Sequence, residues 1–152
     1  MSLKSYPNGV DCVWLAVDMR GNLGGFITAG AGPIPEVALG SDLISIEDIE
    51  GEICQLPVVS SIQLLVSVKR PDDYNSLAKR GVFVYDWLDV HRTTREAVQA
   101  YELVAVPSEP IDLDVLPSNL YSIAVSLRIP SVTFAESKVL DIRALLRCVE
   151  AE

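Results

Sequence analysis

The chain has 152 residues, 49% of them apolar, with a mean hydropathy of +0.30 and a formal charge of −9. That length suits one domain burying roughly 68–70% of its unfolded surface, which needs no metal or disulfide staple. The negative charge repels phosphate backbones and argues against nucleic acid, and no apolar run nears the roughly 18–20 residues of a membrane span.

Cys12–Val17 is apolar and β-prone, and Leu23–Ala29 follows after Asp18 and Met19. This reads as a β-hairpin turning at Arg20–Asn22. Five glycines between Gly21 and Gly32, with Pro33 and Pro35 after them, mark a corner that defines the fold. A short helical turn is expected over Glu36–Leu39. Ser45-Ile46-Glu47-Asp48 resembles a capping box opening a helix to about Ile53, with Ile46, Ile49 and Ile53 on its inner face.

Ile62–Val68 carries apolar residues on both faces and predicts a central strand. A short helix over Tyr74–Lys79 is capped by Asp72 and Asp73 and ended by Gly81. Val82–Trp87 and Tyr101–Val106 read as further strands, with a helical turn over Thr93–Gln99 between them. Leu120, Ile123, Ala124 and Leu127 form an amphipathic stripe, predicting the longest helix over Asn119–Ile129, closed by Pro130. Val132–Ala135 reads as a strand, and Ser137–Leu146 as helix in preference to strand. Elements in this order do not alternate as βαβ units. The expected fold is α+β: one domain over 1–152, with an antiparallel or mixed sheet and helices mainly on one face.

Nucleotide-binding readings fail on the residues they require. Gly30 and Gly32 have the first spacing of a dinucleotide fingerprint, but Pro35 stands where its third glycine belongs, and no Gly-Lys-Ser/Thr phosphate loop exists. Cys12, Cys54 and Cys148 are odd in number and widely spaced, which predicts free thiols and neither a disulfide framework nor a zinc site. No cofactor and no metal site is expected.

Two clusters could carry function. Glu47, Asp48, Glu50 and Glu52 crowd the solvent side of the short helix, where carboxylates can mimic phosphates toward a basic partner. The stretch Asp86–Glu96 follows a strand and holds the single histidine. Its Asp86, Asp89, His91 and Arg92 join the acidic helix as the expected partner-binding surface. In an extended segment Asp89 and His91 share a face, the arrangement in which a carboxylate orients an imidazole as general base.

The run Val13–Pro35 (VWLAVDMRGNLGGFITAGAGPIP) resembles the start of a set of small bacterial proteins of unassigned activity. They pair a W-L-A-x-D turn with an F-x-T-x-G-x-G-P-I-P corner. VSVKRPDDY (Val66–Tyr74), GVFVYDWLDVHRTTREA (Gly81–Ala97) and YELVAVP (Tyr101–Pro107) are similar to the same set. In size and charge the chain is also similar to immunity proteins that neutralise bacterial toxins. That likeness implies a non-enzymatic factor in the cytoplasm, an expectation to which the absence of a basic-then-apolar leader adds. The alternative is a small hydrolase or isomerase using Asp89 and His91. The apolar fraction also leaves room for a homo-oligomer.

Overall fold

The computed structural model describes residues 5–67, 71–87 and 100–151. The fold is built on a mixed sheet. Strands β1 (Val13–Val17) and β2 (Leu23–Ile27) form the expected antiparallel hairpin. Its turn is tied by Asp18, whose Oδ1 accepts from the amides of Arg20 and Asn22, each at 2.9 Å. The other carboxylate oxygen accepts from the Phe134 amide at 2.8 Å, so one buried acid joins the hairpin to the C-terminal part of the chain.

β2 continues in parallel to β5 (Phe83–Asp86), which pairs antiparallel with β6 (Tyr101–Pro107). β4 (Ile62–Leu64) and β7 (Val139–Leu140) lie along the far flank of β6, and β3 (Ile34–Pro35) pairs separately with β8 (Cys148–Val149).

Alternation along the strands divides the core between the two faces. Val13, Leu15, Val17, Leu23, Ile27, Val84 and Val104 point to one face. The longer helices α2 (Ile49–Cys54), α3 (Asp72–Ala78) and α4 (Ser118–Val125) cover it through Ile49, Ile53, Leu77, Leu120 and Ile123. Trp14, Phe26, Phe83, Tyr85 and Tyr101 point the other way, with Trp14 and Phe26 stacked at 4.0 Å between centroids. The C-terminal segment and two four-residue helices, α1 (Glu36–Leu39) and α5 (Ile142–Leu145), close that second face. This is the expected α+β architecture, with the larger helices on one side.

Four elements depart from expectation. The strand at Ile62 is an edge strand and not a central one, because among the described strands β4 pairs only with β6 and its Gln63 and Leu64 are exposed. The long helix stops at Val125. Leu127–Ile129 leave it to run beside β1, with the Val17 amide donating to the Leu127 carbonyl (2.9 Å) and the Ile129 amide to the Val17 carbonyl (2.8 Å). Val132–Ala135 is not a strand; its end enters a 3-10 turn, Phe134–Glu136, that sinks the Phe134 ring into the core. Ser137–Leu146 is divided between β7 and α5, because β6 recruits Val139 and Leu140 before any helix begins.

The glycine-proline corner is a packing device. A Cβ on Gly32 would sit 2.6 Å from the Tyr101 hydroxyl and 2.8 Å from the Trp87 ring, closer than real side chains approach. That hydroxyl donates to the Pro33 carbonyl at 2.8 Å, and the Tyr6 hydroxyl donates to the Gly32 carbonyl at 2.5 Å. The corner is held by two phenols against bare backbone.

Candidate functional site

The acidic helix begins as a 3-10 turn, Ile46–Asp48, that runs directly into α2. The expected capping box does not form. Ser45 makes no side-chain cap bond, and its carbonyl instead accepts from the Asp48 amide at 2.9 Å. With Ile49 and Ile53 buried one turn apart, Glu47 and Asp48 are left exposed and Glu50 and Glu52 half-buried on the outer surface. A groove of about 610 Å³ runs beside them. Glu47, Asp48 and Glu52 stand on its α2 side, Pro117 and Ser118 at the start of α4 stand opposite, and Leu43 and Ile44 supply apolar wall.

Tertiary packing adds two acids that the sequence pattern did not single out for this surface. Asp11 precedes β1, and Asp73 lies in the first turn of α3. Burial pushes the Glu50 carboxyl above its ordinary range, and repulsion from Asp73 and Asp11 pushes it further. Asp11 is raised by burial too, against a 2.9 Å hydrogen bond from the Ala29 amide, and again by Asp73. The Cys12 thiol is pushed up to about 11, by burial first and then by Glu47, Asp11 and Glu50. Carboxylates from three separate stretches thus share one electrostatic neighbourhood. Among the described residues none of Asp11, Glu47, Glu50 and Asp73 forms an ion pair with lysine or arginine.

Asp86 is placed elsewhere. It ends β5 opposite Ile27 and Glu102, is 1% exposed, and accepts a hydrogen bond from the Tyr74 hydroxyl beneath the surface. It is an interior acceptor and not a contact a docking protein could touch. Asp89, His91 and Arg92, and with them the Asp–His pair, lie outside the described residues, as does the turn expected at Thr93–Gln99.

Among the described residues the remaining chemistry is sparse. Cys12, Cys54 and Cys148 are free, and burial raises all three thiols, Cys148 to about 11, which disfavours the nucleophilic thiolate. No group of three or more His, Cys, Asp or Glu side chains among the described residues is arranged to hold a metal ion. No described helix is long and apolar enough to cross a membrane. Comparison of the chain with protein-family models, curated protein sequences and solved structures found no match.

Proposed function

We propose that this chain is a non-enzymatic cytoplasmic protein that binds a basic protein partner on the acidic face of α2, neutralising a toxin as immunity proteins do. The supporting observation is that Asp11 and Glu50 are both raised, by burial first and then by repulsion involving Asp73, while among the described residues neither forms an ion pair with lysine or arginine. A lysine or arginine docking there removes that repulsion and gains charge-assisted hydrogen bonds. Leu43 and Ile44, in the groove beside Glu47, Asp48 and Glu52, can take the aliphatic stems of basic side chains that reach those acids. Enzymes that act on nucleic acid line their sites with arginine and lysine, so a fixed array of carboxylates competes for the same groups.

The test compares the wild-type chain with a Glu47→Lys/Glu50→Lys/Glu52→Lys variant as bait in lysate of the source cells, followed by association kinetics. A basic partner recovered near one-to-one, lost from the variant, is the expected result. Its association rate should fall as the screening length shortens to ~8 Å at physiological salt and below. A partner retained by the variant and indifferent to salt would overturn the reading.

A further inference from the structure

Among the described strands the sheet leaves one edge open, and the stretch that forms it has no charged residue of its own. From Ile53 to Ser67 the sequence has no Asp, Glu, Lys or Arg, in a chain of formal charge −9. β4 lies in the middle of this stretch. Its Ser61 carbonyl accepts from the Ser108 amide (2.9 Å) and its Leu65 amide donates to the Val104 carbonyl (2.9 Å), so the odd-numbered residues face β6. Antiparallel alternation then turns the amide and carbonyl of Ile62 and Leu64 outward, where no other described strand pairs with them. Two residues before Ile62 the Ser60 amide is already taken by the Lys79 carbonyl, at 3.1 Å, which bounds the open stretch.

Natural edge strands are usually protected by charge, proline or a covering segment. The other exposed edges follow that rule: β1 is covered at Val17 by Leu127–Ile129, and β7 is bracketed by Lys138 and Asp141. Among the described residues Ile62–Leu64 has no such guard, and Val58, Val59, Leu64 and Leu65 leave apolar side chains exposed along the stretch. The exposed Lys79 and Glu109 join it only before Ile62, through the backbone of Val59 and Ser60 and the Ser60 hydroxyl. The basic residue that secures this stretch is turned inward. Arg80 donates to the carbonyls of Cys54 (2.9 Å), Leu56 (3.1 Å) and Ser76 (2.9 Å).

The geometry points to a second copy of this chain as the occupant of the β4 edge, the two sheets joining through antiparallel β4 strands. Two chains of charge −9 repel wherever acids face acids, and this strand, with no charged side chain of its own, lies across the sheet from the acidic α2, which packs beside β1. A two-fold axis at Gln63 pairs Ile62 of each copy with Leu64 of the other through both outward backbone groups. It sets the two exposed Gln63 side chains face to face as a non-hydrogen-bonded pair. So short an edge belongs with small interfaces, and the dimer should dissociate readily on dilution.

The test is sedimentation velocity of the whole chain from low micromolar to submillimolar concentration, with two surface variants, Gln63→Lys and Gln63→Glu. The wild type should show a concentration-dependent dimer. Each variant alone should dimerise about tenfold more weakly through like charges facing one another. An equimolar mixture of the two should recover the dimer, a rescue that damage to the fold would not give. A wild type that stays monomeric throughout, or a dimer that both variants leave unchanged, overturns the assignment.

Discussion

The phenolic hydroxyl of Tyr74, on α3, donates to the carboxylate of Asp86 at the end of β5, and both residues are buried. The bond ties a helix to the parallel strand pair beneath it, and burial together with Asp86 raises the phenol well above its ordinary value. Tyr74→Phe keeps the ring and deletes the donor, so the buried carboxylate of Asp86 accepts one hydrogen bond fewer. The expected loss is about 2–3 kcal/mol in urea unfolding. A change within the scatter of a surface substitution would show that the bond contributes nothing net.

Gly24 lies in β2 where the Phe134 ring presses on the strand. A Cβ built there would fall 2.7 Å from Cε2 of that ring, which is itself fully buried and packed edge-on against Phe26. Gly24→Ala therefore forces the ring or the strand to move, with an expected cost of about 1–3 kcal/mol. Because Phe134 also gives its amide to Asp18, the variant should loosen the hairpin turn as well, seen as faster amide exchange at Arg20 and Asn22. Exchange unchanged at those two amides would separate the turn from the core.

Local chemistry made the hairpin, the Tyr101 strand and the Leu120–Ile123–Ala124 stripe legible, because period and turn residues there agree with the tertiary result. Where they failed, a strand pairing had intervened. Val17 captures Leu127–Ile129 from the end of a helix, and β6 captures Val139–Leu140 from what composition favoured as helix. Ile62–Val68 looked central because its apolar residues fall on both faces, yet an uncharged edge has the same pattern. At the candidate site the acids of α2 could be read from spacing. Asp11 and Asp73 could not, since each reads locally as a strand flank or a helix start and only packing brings them to Glu50.

Alkaline pH should destabilise the fold in a defined window. Burial raises Tyr6 to about 12 and lifts Tyr85 and Tyr101 well above their ordinary value of 10.0, while the Cys12 and Cys148 thiols rise to about 11 from 9.0. These groups are neutral when protonated, and the folded state disfavours their anions. The stabilisation they give is complete below 9.0 for the thiols and 10.0 for the phenols. It is lost as pH rises through the folded values. Urea midpoints should be insensitive to these groups at neutral pH and fall steadily above pH 10, with a shallower fall in Tyr85→Phe. A midpoint flat through that alkaline range would contradict the burial of these phenols.

Glu50 offers the sharpest separation of stability from function. Its carboxyl sits above its ordinary 4.5, so ionisation works against the folded state. The group's contribution is fully present below 4.5 and is lost as pH rises through the raised folded value. Glu50→Gln removes that charge while keeping the side chain's shape, and also relieves its repulsion with Asp11 and Asp73. The variant should therefore melt slightly above wild type at neutral pH, and the difference should vanish in acid. Binding of a basic partner should move the opposite way and weaken, because the same repulsion is what a docking cation relieves. Thermal melts across pH and titration with the captured partner read the two effects separately. A variant that is less stable at neutral pH, or one that binds a basic partner more tightly, would break the link between the strained acids and the docking face.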